Sequence, residues 1–143
     1  MENRHKFRGW HTVKKKMFSA EEMGRDQLTL SPDGQGFINV HGGSTRLSTY
    51  LNYMIPIQCT GLKDRNGKLI YEGDILFGRE EGNGETTAWT DVYYVVFFRS
   101  ECGSYMVRTE RSNEDSPWCD LLSDIVGEYE VIGNRFENPE LLK

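Results

Sequence analysis

Gln58 to Phe77 reads QCTGLKDRNGKLIYEGDILF, and the turn residues inside it decide the fold. Asn66-Gly67 is a short-range hairpin signal. A two-residue type I′ turn needs φ > 0 at both central positions, and Asn and Gly tolerate that best. The flanks are then strands, Thr60 to Arg65 going in and Lys68 to Tyr71 coming out. Leu69 and Tyr71 point to one face, Lys68 and Ile70 to the other. Glu72-Gly73-Asp74 follows at once, and a glycine inside a strand pattern marks a bend or bulge. Ile75-Leu76-Phe77 resumes the strand before a Gly- and Glu-rich loop, Gly78 to Glu85.

Glu72 and Asp74 are the candidate catalytic pair of this stretch. Two neighbouring carboxylates serve as acid and base, or hold a hard cation. Polar residues beside a glycine bend more often hydrogen-bond local backbone or face water. No third group adjoins them in the sequence to complete a site.

Working outward, strand patterns dominate. Phe7 to Trp10 and Lys16 to Phe18 read as a hairpin around His11 to Lys14. Gln27 to Leu30 and Phe37 to Val40 read as a second, joined through the turn residues Ser31-Pro32-Asp33-Gly34. Between the hairpins, Glu21 and Glu22 are too few, and Gly24 too close, for a helix. Gly42 to Thr45 is a loop with no phosphate-binding lysine and no GxGxxG. Arg46 to Met54 fits either a short amphipathic helix (Leu47, Tyr50, Leu51, Met54) or a strand. Ile55-Pro56-Ile57 then breaks any helix and leads into the central hairpin.

Trp89 to Arg99, WTDVYYVVFFR, is the longest strand pattern. Tyr93, Val95 and Phe97 line one face; Val92, Tyr94, Val96 and Phe98 line the other. Apolar residues on both faces predict a central strand, or one covered by a partner subunit. Tyr105 to Arg108 returns from it. Ser116-Pro117-Trp118 is a helix start, and Trp118, Leu121, Leu122 and Ile125 continue at helical spacing toward Gly127. One short α-helix near 117–126 is therefore expected. The loops Gly78–Glu85 and Ser112–Pro117 are acidic and exposed. Glu128 to Asn134 is a last strand, and Pro139 to Lys143 a capping tail.

The fold class that emerges is mainly β, a small curved sheet or barrel built of hairpins, with that one helix. At 143 residues it is a single domain over residues 1–143, divisible into an N-terminal β unit (1–54) and a β core (57–143). Aromatics make up 12% of the chain and cluster with Val and Ile, as a β core requires. No apolar run reaches membrane-span length, and the opening MENRHKFRGW lacks a signal-peptide core. Three cysteines, Cys59, Cys102 and Cys119, form no CxxC and read as reduced thiols. His5, His11 and His41 are too scattered to ligate zinc with them. No metal and no cofactor is expected.

Charge is uneven. Residues 1–16 hold six basic side chains (Arg4, Lys6, Arg8, Lys14, Lys15, Lys16) and one acid, whereas the remainder carries a net negative charge. A basic arm on an acidic body prompts a nucleic-acid or partner contact through those six residues. Alternating Arg4, Lys6 and Arg8 also suit the solvated face of an edge strand.

Three strings carry a resemblance. TGLKDRNGKLIYEGDI (Thr60 to Ile75), with Thr60, Gly61, Asp64, Asn66, Gly67, Tyr71, Glu72, Gly73 and Asp74 as its structural signature, resembles the signature of the YopX family of phage and prophage proteins. Lys6-Phe7-Arg8-Gly9-Trp10 with Lys15-Lys16-Met17-Phe18 is similar to that family's opening. Tyr129 to Asn134 (YEVIGN) and Glu137 to Leu142 (ENPELL) are similar to its close. His11 and Cys59 depart from the family's usual residues. The resemblance implies a β-rich phage or prophage product in the bacterial cytoplasm, with no catalytic residues to carry over. The leading expectation is a non-enzymatic accessory protein that binds a host or phage macromolecule or self-associates into a homo-oligomer. The alternatives are a nucleic-acid binder using the basic arm and an enzyme using Glu72 and Asp74.

Overall fold

The structure, a computed structural model, describes residues 5–40, 51, 53–82, 88–109 and 119–143. The fold is mainly β, with a curled half-barrel sheet. Strands β1 (Phe7–His11), β2 (Lys16–Phe18), β5 (Met54–Lys63) and β6 (Leu69–Tyr71) make a four-stranded sheet in the order β2-β1-β5-β6. A hairpin of β3 (Leu28–Leu30) and β4 (Phe37–Asn39) stands beside it. The five-stranded sheet takes β7 (Asp74–Glu81), β8 (Trp89–Arg99), β9 (Ser104–Thr109), β10 (Asp120–Leu121) and β11 (Glu130–Asn134), in the order β10-β9-β8-β7-β11. All strand pairs are antiparallel.

β8 is the central strand that its two apolar faces predict. Tyr94 and Val96 pack with Leu76, Val107, Leu122, Ile70 and Tyr129 in the larger apolar cluster. On the opposite face Val95 and Phe97 are also buried. Burial is lost over the N-terminal half, where Trp89 and Tyr93 are exposed, and again at Phe98. The surplus apolar surface of this strand therefore lies on its N-terminal half, at Trp89 and Tyr93, and at Phe98 near its C-terminal end. A second, smaller cluster of Met23, Phe37 and Met54 sits under the N-terminal hairpins.

β5 serves both parts. Its first half pairs with β1, Phe7 opposite Gln58 through His11 opposite Met54. Its second half pairs with β6, with a register shift between Cys59 and Lys63. Gly61, at φ 82°, lies in that shift, as a bulge requires. Ile55-Pro56-Ile57 lie inside β5 rather than ahead of it.

The structure corrects several expectations. The Asn66-Gly67 turn is not type I′, because only Gly67 (φ 81°) has positive φ there. Asp64 N–H donates to the Lys68 carbonyl and Gly67 N–H to the Asp64 carbonyl. That closes a three-residue loop ending in a left-handed glycine. A helix does occupy 19–25: α1 (Ala20–Arg25) starts at Ser19, which forms a reciprocal capping box with Glu22. The two cap bonds hold donors that Gly24 alone does not release. The helix near 117–126 shrinks to α2 (Leu122–Ile125), without a side-chain cap. Asp120 and Leu121 pair with β9 instead. Its expected start, Ser116-Pro117-Trp118, lies outside the described residues, as do the loop 112–117, the ambiguous stretch 46–50 and Gly42–Thr45. The loop expected from Gly78 is strand through Glu81, because β8 is long enough to pair it to Trp89.

Candidate functional site

The three strings singled out in the sequence meet each other. Arg8, on β1, pairs with the Asp74 carboxylate at the start of β7. Asp74 is fully buried, and it also accepts the Tyr71 backbone N–H at 2.8 Å. The Arg8 guanidinium lies 4.5 Å from the Tyr71 ring centroid, a cation–π contact. Burial pushes the Asp74 carboxyl up against the pull of Arg8 and the Tyr71 N–H. The Tyr71 phenol rises to about 12, chiefly through burial.

The closing string joins at two points. Asp64 accepts backbone N–H bonds from Asn66 (2.9 Å), Lys68 (2.9 Å) and, on β11, Val131 (2.8 Å). Burial pushes its carboxyl up, but these three donors outweigh burial and hold it below the ordinary aspartate range. Arg65 makes an ion pair with Glu130 at 3.0 Å. At the other end, Arg135 N–H donates to the Gly73 carbonyl, and Trp10 packs on Phe136 at 5.6 Å. Asn134 accepts from the N–H groups of Phe136 and Glu137. Asp64, Tyr71, Gly73 and Asp74 of the signature are therefore joints between segments.

Glu72 and Asp74 face different partners. Asp74 is turned to Arg8, whereas the charge of Glu72 bears on Tyr105, whose phenol rises to about 12 mainly through burial. A different acidic arrangement lies on β7, where Glu80 accepts hydrogen bonds from the hydroxyls of Tyr94 and Tyr129. Burial, then Glu80, raises the Tyr94 phenol to about 12 and the Tyr129 phenol higher. Their separations of 14 and 49 residues leave no local signature in the sequence. Among the described residues, no group of three His, Cys, Asp or Glu could hold a metal ion. The cysteines are free, with Cys59 buried, Cys102 exposed and Cys119 half-buried.

The basic arm is divided. Arg4 lies outside the described residues. Arg8 is inside the structure, its side chain 13% exposed. Lys6 and Lys16 are exposed and pair with Glu21 (4.0 Å) and Glu22 (3.5 Å). Lys14 and Lys15 are exposed on the β1–β2 turn, where Lys15 takes φ 53°. That turn borders a recess of about 330 Å³ whose walls include His11, Phe18, Asp26 and Tyr53. The His11 and Tyr53 rings stack at 4.7 Å. Sequence reasoning missed this pairing, since Tyr53 reaches His11 only through the β1–β5 register. A further groove of about 380 Å³ runs between Tyr93, Thr109 and the C-terminal 3-10 turn, Pro139–Leu142. No helix among the described residues is long and apolar enough to cross a membrane.

The chain is similar to protein EF1440 from Enterococcus faecalis, known from a crystal structure. The two are 28% identical over 96% of this chain and 97% of that one, with a TM-score of 0.57. No curated protein matches. The family model described as YopX protein matches residues 6–143. That span holds the three strings whose contacts tie the fold together, and the chain belongs to the YopX family.

Proposed function

We propose that this protein is a non-enzymatic phage or prophage accessory that works in the bacterial cytoplasm by binding a macromolecule or a second copy of itself. One observation carries the reading. The polar groups of the family signature turn toward one another: Asp64 to three backbone donors, Asp74 to Arg8 and Tyr71, Asn134 to its own turn. Groups held this way form a rigid scaffold rather than a reactive cleft, and a scaffold presents surfaces. The exposed aromatics of β8 and the lysine turn are the surfaces on offer.

The test combines light scattering across a concentration range with capture of the tagged full chain's partner from lysogenic cells. A defined oligomer or partner complex is expected, weakened by Trp89→Ser or Phe98→Ser, or by Lys14→Glu with Lys15→Glu. Turnover of a substrate that a single change at Glu72, Asp74 or Glu80 abolishes, in a variant that melts like the parent, overturns the reading.

A further inference from the structure

We infer that the recess beside the β1–β2 turn takes an unpaired nucleobase, with the adjoining phosphates on Lys14 and Lys15, so that the ligand is single-stranded nucleic acid. The inference rests on the binding-module reading and names its partner class. It begins with a ring held in place. The Tyr53 carbonyl accepts from the Thr12 N–H (2.8 Å) and the Thr12 hydroxyl (3.2 Å), which pins Tyr53 to the β1–β2 turn. Its ring stacks on His11 with 28° between the planes. His11 Nδ1 accepts the Lys14 N–H at 3.1 Å, so its ring is fixed in turn. His11 is buried, whereas Tyr53 is 38% exposed. An exposed, immobilised aromatic is the platform on which single strands stack their bases.

The charge beside it has the right sign. Lys14 and Lys15 are exposed, with no carboxylate partner among the described residues. Lys14 and Lys16 also flank the Phe18 ring, at 6.0 and 4.8 Å. Asp26, in the recess wall, opposes a phosphate there but suits the amino edge of a base. The recess volume of about 330 Å³ lies within the usual small-ligand range of about 300–1,000 Å³. A duplex hides its base faces in the stack, so only an unpaired base reaches a ring set in a recess. The body's net negative charge makes such binding weak and strongly salt-dependent.

Fluorescence anisotropy with labelled oligothymidylate, oligouridylate and duplex DNA, at about 20 mM salt and upward, tests this. Single strands are expected to bind, and duplex less well. Tyr53→Ala is expected to weaken binding roughly 5- to 150-fold, with Tyr53→Trp retaining it. Lys14→Glu with Lys15→Glu is expected to flatten the log–log salt slope by about 0.7 for each phosphate no longer neutralised. Thermal melts matching the parent show that the variants fold. If the lysines matter but Tyr53 does not, or duplex binds equally well, the attraction is merely polyelectrolyte and the base site is overturned. If no single strand binds at low salt, the inference is overturned as well. The binding-module reading fails separately, by turnover or by absence of any oligomer or partner.

Discussion

Asp64 shows how one side chain sets a family signature. Its carboxylate satisfies three backbone donors, two in the β5–β6 turn and one on β11. Its removal leaves three partly buried N–H groups without this acceptor, so Asp64→Ala is expected to lower stability by about 1–3 kcal/mol at neutral pH. The effect has a defined pH dependence. The folded-state carboxyl titrates below its ordinary value of 3.8. Its contribution is therefore fully present above that value and is lost as pH falls through the folded pKa. In urea titrations, the gap between wild type and Asp64→Ala should be constant near pH 7 and narrow below about pH 4. A gap that widens in acid contradicts this account. Gly73 is a second constrained residue. It sits at φ 80°, and a Cβ there would lie 2.8 Å from the Phe136 ring. Left-handed strain and overpacking together put Gly73→Ala at about 2–4 kcal/mol of destabilisation, measurable as a drop in urea midpoint at unchanged slope.

At the scale of elements, α1 gives the plainest prediction. Six residues are too short to hold a helix by propensity, so its cap matters. Ser19→Ala removes one bond of the capping box and should destabilise the fold by about 1 kcal/mol, read by chemical denaturation. The signal for this helix is present in the chain as Ser19-Ala20-Glu21-Glu22, the capping-box pattern, but Gly24 masks it. The first two hairpins and β8 are legible because their signals are local: turn residues between alternating apolar runs. α2 is legible only in part. Its apolar spacing is compatible with a helix, and pairing with β9 claims Asp120 and Leu121 for a strand. The turn at Asn66-Gly67 can be placed from the sequence but not typed, since the deciding acceptor, Asp64, also serves Val131 from 67 residues away. Of the candidate site, the lysines can be named from the sequence. The Tyr53 ring that gives them a context cannot.

Among the described residues, two apolar clusters stand out, and the continuous strand β5, the Arg8–Asp74 pair and the packing of Trp10 on Phe136 are among the contacts that tie the N-terminal strands to the rest. Arg8 and Asp74 are 66 residues apart, which is why the basic arm reads as a surface feature although one of its members is a buried joint. A buried ion pair stabilises little against an apolar replacement, but losing one partner strands the other charge and costs about 3–5 kcal/mol. Arg8→Ala leaves Asp74 without its cation, and the damage falls at the junction rather than inside either cluster. Hydrogen exchange should therefore report a selective loss. Amides of β1, β2 and the first half of β5 are expected to exchange faster in Arg8→Ala, while those of β8 and β9 keep most of their protection. Arg8→Met combined with Asp74→Asn removes both charges, keeps an acceptor for the Tyr71 N–H, and should restore much of it. Uniform acceleration across both sheets in Arg8→Ala would mean that the two clusters unfold as one unit, and that the pair is only one core contact among many.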